Sequence, residues 1–325
     1  MANPIEPLPL RIENPGHDES LNSFIGRLGT RNGVFNISSW ASSTFGIHFA
    51  QETYSDDAIE RISVASGIPA ARLQLMQEHH FILGNAYEVG DRVAEPAIVL
   101  RKRRVCPACL REHGFTKTAA EMRFVRICPE HRTHLVCHVP GTEELLTWNT
   151  KAPNICGDNI DLSSIQQQLV DPVFLEGQTY LLNAMNGIEQ FEPPLLRGMK
   201  PQDLWFLLSR FGYFAHVSRG INPADPFHRH IEQLQLDGPK DLQQRTDISE
   251  LQFSLFLTAG LRILSDDPEI FEAGVTHALA NRETKAVYFI DRIRPAFTHW
   301  TPRSLIADCI ERAYEERPPK HARLA

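Results

Sequence analysis

The chain has 325 residues, a formal net charge of −7, 42% apolar residues and 22% charged ones. That balance excludes a disordered or fibrous chain, and no apolar run reaches the roughly eighteen residues that a membrane-spanning helix needs. An acidic chain is also a poor general nucleic-acid binder, because phosphate neutralisation supplies most non-specific affinity.

The length predicts about two or three domains. The first residues, Met1 to Arg11, hold prolines and no apolar stretch, so no secretory signal is expected there. Of six cysteines, three fall in one metal-type pattern and the others are scattered. This points to a reducing compartment with metal, and not to a disulfide framework.

Residues 1–17 read as extended. Asp18 or Ser20 caps a first helix whose apolar residues Leu21, Phe24, Ile25 and Leu28 recur at helical spacing, and Asn32-Gly33 ends it. A second helical stretch holds Trp40 and Phe45 and stops near Gly46. Ser55-Asp56 caps a third, with Ile59 and Ile62 inward; Gly67 breaks the pattern, and Ile68, Leu73, Leu75 and Met76 resume it. Ile62, Gly67, Ile68, Leu73 and Met76 fall where a helix-turn-helix places its apolar positions and turn glycine, although Ser66 departs from the usual apolar residue there. The second helix of that pair, roughly Pro69 to Glu78, offers Arg72, Gln74 and Gln77 as base or phosphate contacts, fewer cations than a major-groove reader brings. A DNA reader and a packing unit that never touches DNA both fit.

Residues 84–100 read as turns and short strands, punctuated by Asn85, Gly90 and Pro96, with apolar Ala97-Ile98-Val99-Leu100 at the end. Arg101-Lys102-Arg103-Arg104 follows, either a solvated face or a contact for phosphate or an acidic partner. Residues 101–134 carry nine Lys/Arg against three Asp/Glu, so the acidic surplus lies elsewhere in the chain.

Cys106-Pro107-Ala108-Cys109 is then answered, eighteen residues on, by Cys128-Pro129-Glu130-His131. Each short pair sets two ligand atoms on one side of a metal, and the loop between brings the second pair to the other side. Each proline fixes φ just after a ligand. Four filled positions make Cys106, Cys109, Cys128 and His131 a structural zinc site, since a catalytic zinc keeps one position open.

The remaining half reads as helical. Val173 to Met185 has apolar residues at mixed spacing; Pro201-Gln202-Asp203 starts a helix through Leu204, Leu207, Leu208 and Phe211. Residues 218–246 are polar and loop-rich. Asp247 or Ser249 caps a helix through Leu251, Leu255, Leu261 and Leu264; Pro268 opens another; Pro302-Arg303-Ser304 opens a last one through Ile306, Ile310 and Tyr314, with Cys309 as a core residue. His79-His80 and His228-Arg229-His230 read as surface histidines, and Asp56-Asp57 and Asp266-Asp267 as helix caps. No P-loop, H-E-x-x-H or G-x-S-x-G motif occurs, so the chain reads as a non-enzymatic protein.

The motif Arg104-x-Cys106-Pro107-x-Cys109-Leu110-x-Glu112, then Phe115 and Lys117, then Cys128-Pro129-x-His131-x-x-x-Leu135, resembles the TniQ family of transposition target-selection proteins. Pro7-Leu8-Pro9 and Asp18-Glu19-Ser20-Leu21-x-Ser23-Phe24-x-x-Arg27-Leu28 resemble that family's opening, and Asp266-Asp267-Pro268 with Phe271 weakly matches its C-terminal half. The family often carries a second four-ligand set. Here Val139, Thr142 and Pro153 stand where cysteines are expected, and Ala119-Ala120 occupy the region of a usual loop aromatic. Cys137, Cys156, His138 and His134 are the substitute ligands for a second metal; the competing reading is a zinc-free ribbon held by its core.

The expected architecture is mainly α with a small zinc-ribbon-like segment: an N-terminal helix-turn-helix-like unit over residues 1–95, a central zinc knuckle region over 96–165, a C-terminal helical domain over 166–315, and a tail over 316–325. The resemblance implies an adaptor that links a target reader to a AAA+ regulator of the TnsC kind. In CRISPR-associated transposons that reader is Cascade, Cas proteins with a guide RNA, and the TniQ proteins there resemble dimers that meet target DNA indirectly. Arg101, Lys102, Arg103, Arg104 and Arg72 are the candidate nucleic-acid or partner contacts. The alternatives are a sequence-specific DNA-binding target selector or a transcriptional regulator that uses the helix-turn-helix-like pair.

Overall fold

Serine and asparagine side chains start the N-terminal helices. In the computed structural model, Ser20 accepts a hydrogen bond from the Ser23 amide and caps α1 (Leu21–Arg31); Asn36 caps α2 (Ile37–Phe45) through Ser39; Ser55 caps α3 (Asp56–Ser66) through Ala58. Gly46 and Gly67 close α2 and α3 in the left-handed conformation that only glycine adopts without cost. The short α4 (Ala70–Leu75) follows the turn at Gly67. The apolar faces of these helices meet in one core, with Phe24, Ile25, Leu28, Ile37, Phe45, Ile59, Ile62 and Leu73 buried. Leu75 departs from the expected inward pattern: it stands exposed, because α4 is a single short turn-and-a-half and ends before a second apolar row can turn inward.

The structure describes residues 7–12, 14–49, 54–77, 87–89, 92–94, 103–122, 124–148, 154–157, 159–218, 250–280 and 305–315, together with Phe227, His230 and Leu234. The expectations for Arg101, Lys102, His79-His80, the capping residues Asp247, Ser249 and Pro302–Ser304, and the 316–325 tail lie outside these residues. Two compact units result: Met1–Asn85 with Pro96–Asp171, and Ala86–Glu95 with Pro172–Ala325. The N-terminal helices and the cysteine-bearing segment therefore share one unit.

In that unit, Cys106 leads into α5 (Pro107–His113), with proline in the first helical turn where its missing N–H is harmless. Ile127 bridges to His134 and closes the Cys128–His131 turn, and Val105 bridges to Val136 and holds the first knuckle against the segment that follows the second. A two-residue antiparallel pair, β3 (Ile155–Cys156) with β4 (Ile160–Asp161), closes the ribbon; an antiparallel hairpin, β1 (Tyr87–Val89) with β2 (Arg92–Ala94), belongs to the second unit. Six residues make the ribbon core, Val105, Leu110, Val139, Leu146, Cys156 and Leu162.

The second unit is helical: α6 (Glu176–Met185), α7 (Pro201–Ser218), α8 (Glu250–Leu264), α9 (Pro268–Ala280) and α10 (Leu305–Glu315). Leu204, Leu207, Leu208 and Phe211 of α7 are buried, as are Phe256, Leu257 and Ile263 of α8. The α7–α8 approach is backbone to backbone. A Cβ on Gly212 would lie 1.6 Å from the Phe256 carbonyl oxygen, and one on Gly260 would lie 2.1 Å from that of Leu208. Cys309 is fully buried in α10, a core position. His230 corrects the surface reading: it is 9% exposed, and its Nε2 sits 2.8 Å from Oδ2 of Asp266. Asp266 is thereby a buried partner, and capping falls to Asp267, which accepts from the Glu269 amide.

Candidate metal centre

Helix α5 and the Cys128–His131 turn bring four ligand atoms together. Those of Cys106, Cys109, Cys128 and His131 all lie within 4.8 Å of one another, the one group of three or more potential metal ligands among the described residues. Nδ1 of His131 is 3.6 Å from the Cys106 sulfur, 3.3 Å from that of Cys109 and 3.5 Å from that of Cys128, and the Cys109 and Cys128 sulfurs are 3.6 Å apart. A tetrahedral zinc with sulfur at about 2.3 Å and nitrogen at about 2.0–2.1 Å has ligand–ligand edges of about 3.5–3.8 Å. The residues fit a Cys3His ion, and the donor set is compatible with structural zinc. The three sulfurs also border a small cavity whose other walls are Lys117, Ala119, Ala120, Val125, Pro129 and Leu135.

The ligands' environment has a specific electrostatic pattern. Sulfur-to-sulfur hydrogen bonds from Cys109 and Cys128 pull the Cys106 thiol down to about 2, and the same contacts push Cys109 up and Cys128 up to about 11. Three crowded sulfurs oppose one another's ionisation, and a bound cation would stabilise all three as thiolates. At His131 burial opposes protonation, but the Glu112 hydrogen bond and the Cys106 charge outweigh it and raise the pKa. Glu112 Oε2 lies 3.0 Å from His131 Nε2, so the ring donates through Nε2 and keeps Nδ1 free for a metal.

A second ring of contacts supports the first. Glu130 Oε2 takes an ion pair from Lys117 at 2.6 Å, its Oε1 lies 3.4 Å from His113, and it approaches the Cys109 sulfur at 3.8 Å. Lys117 in turn forms a backbone bridge with Glu19 at the start of α1. Sequence reasoning missed these supporting roles. Glu112 carried one readable signal, since it stands three residues after Cys109 and so on the same face of α5.

The second ligand set does not assemble. Cys137 meets His138 at 3.1 Å, but Cys156 is buried in the apolar ribbon core, and no second cluster forms among the described residues. Burial raises the Cys156 thiol, which holds it neutral.

The basic run also needs correction. Arg103 and Arg104 are only 1% and 5% exposed, so neither is placed to touch phosphate or a partner. The Val105–Val136 bridge draws the preceding backbone inside. The Arg103 guanidinium lies 5.2 Å over the Trp148 ring, and Arg104 donates to the Val125 carbonyl at 3.0 Å. Arg72 is exposed on α4.

Residues 10–135, which hold all four ligands, match the model of the TniQ family. No curated protein matches the chain. Among the described residues, no helix is long and apolar enough to cross a membrane.

Proposed function

We propose that this chain, whose residues 10–135 are a TniQ-family region, is a non-enzymatic adaptor that selects the insertion site in DNA transposition. It links a target-recognising assembly, the RNA-guided Cascade of a CRISPR-associated transposon, to a AAA+ regulator of the TnsC kind, and acts as a homodimer in the bacterial cytoplasm. One structural zinc ion on Cys106, Cys109, Cys128 and His131 fixes the shape of the ribbon. The observation that carries the reading is the four-ligand centre inside the family segment: four side-chain ligands complete a tetrahedral set, which supports a structural ion and a rigid platform for other macromolecules.

The surface of the α3–α4 pair favours an adaptor over a reader of bases. Asp56, Asp57 and Glu60 stand exposed on α3, Val64 and Leu75 are exposed apolar side chains, and Arg72 is the one exposed cation on α4. Phosphate binding needs the opposite charge.

Co-purification tests the proposal. The chain should co-elute with Cascade and, separately, bind the AAA+ regulator, with weak DNA binding on its own. Tight, salt-dependent binding of the isolated chain to one DNA site, without co-elution with Cas proteins, would support the DNA-reading alternative instead.

A further inference from the structure

Helix α1 buries two unlike faces. Its apolar residues Phe24, Ile25 and Leu28 pack into the N-terminal core. Its other face and its cap are polar and yet equally buried: Glu19, Ser20, Asn22 and Ser23 are each 3% exposed or less. The cover is the segment Phe115–Glu121, held by hydrogen bonds. The Ser20 amide donates to the Thr116 carbonyl at 3.0 Å, the Thr116 amide to Ser23 Oγ at 2.9 Å, the Thr118 amide to the Asp18 carbonyl at 2.8 Å, and Asn22 Nδ2 to Glu121 Oε2 at 2.8 Å. The Arg27 guanidinium sits 5.5 Å over the Phe115 ring.

That covering segment lies between Cys109 and Cys128, which a metal would tie together at its two ends. We propose that the metal centre is a latch: a bound ion holds Phe115–Glu121 on the polar face of α1, and loss of the ion releases it. Two physical features make the contact separable. Its hydrogen-bonding groups, from Ser20, Asn22, Ser23, Thr116, Thr118 and Glu121, can be satisfied by water when the surfaces part, and the apolar side chains uncovered are the small Ala120 and the single ring of Phe115. The helices beneath have a core of their own, so they stay folded when the cover lifts. Without the ion, both ends of the segment regain freedom and its closure entropy opposes docking. The uncovered face carries Asn22 and, hydrogen-bonded to it, the Tyr54 hydroxyl, whose backbone amide is held by Gln77 just beyond α4.

Hydrogen exchange on the full chain tests this, first with zinc bound, then after chelation, then with zinc restored. The amides of Ser20, Thr116 and Thr118 should exchange about tenfold faster or more without zinc and recover on its return, while Ile59 and Ile62 in α3 keep their protection. Unchanged exchange at the three amides in the zinc-free chain, or loss of protection in α3 at the same zinc level, overturns the latch. Because coupling is reciprocal, Asn22→Ala should both speed that exchange and weaken zinc binding. An Asn22→Ala chain with wild-type exchange and wild-type zinc affinity contradicts the proposal.

Discussion

Glu112 and His131 form a carboxylate–imidazole pair, Oε2 to Nε2 at 3.0 Å, at the outer edge of the cysteine cluster, and this pair decides which ring nitrogen is free to bind metal. Glu112→Ala should therefore weaken metal affinity by about 10- to 100-fold, with Glu112→Gln in between, because the amide still accepts the hydrogen bond but brings no charge. Competition with a chromophoric chelator measures it directly, and equal affinity in all three chains would remove the role assigned to the pair.

Arg103 is predicted to act on stability and not on binding. Replacing it by Ala leaves a void over Trp148 and strips Glu121 of a nearby positive charge. The expected loss is about 1–3 kcal/mol in the unfolding of the first unit, the scale for a lost buried side chain and its cation–π contact. The salt dependence of any nucleic-acid binding should stay unchanged, since a side chain 1% exposed neutralises no phosphate.

Glu121 sets a pH dependence. Burial pushes its carboxyl up to about 7, against the hydrogen bonds from Ser20 and Asn22 and the charge of Arg103. The folded chain therefore holds a proton between about 4.5 and 7 that the unfolded chain releases, so stability falls as pH rises through that window. The contribution is at most about 3 kcal/mol. Glu121→Gln should flatten the profile and exceed the wild type in stability above pH 7, as read from urea midpoints at several pH values; a wild-type midpoint that rises from pH 5 to pH 7 and is matched by the variant's would contradict the assignment.

The α7–α8 crossing predicts a contrast between glycines. Gly212→Ala and Gly260→Ala each force a Cβ into backbone of the facing helix, which must move apart, so each should destabilise the second unit by about 1–3 kcal/mol or more. Gly26→Ala in α1 meets nothing within 4 Å and should be neutral or stabilising by up to about 1 kcal/mol. Chemical unfolding of the three variants compares them.

Local chemistry was legible in the chain. Ser20 and Ser55 as caps, Gly46 and Gly67 as stops, and the mainly helical class with a small cysteine-bearing ribbon all follow from short-range rules. What escaped depended on distant partners. The Arg101–Arg104 run looks solvated until the Val105–Val136 bridge and Trp148, 45 residues beyond Arg103, bury its second half. His230 looks like a loop histidine until Asp266, 36 residues on, faces it. Cys156 counts as a candidate ligand on spacing alone, and its packing among Val105, Leu110, Val139, Leu146 and Leu162 depends on residues up to 51 positions away. The polar cover on α1 joins residues about a hundred positions apart, which no periodicity encodes.

X-ray absorption at the zinc edge of the purified chain, with elemental analysis, tests the central claim most directly. The account predicts one zinc per chain with three sulfurs at about 2.3 Å and one nitrogen at about 2.0–2.1 Å. A folded chain without stoichiometric metal, or a spectrum with an oxygen in place of one of these four ligands, would contradict it.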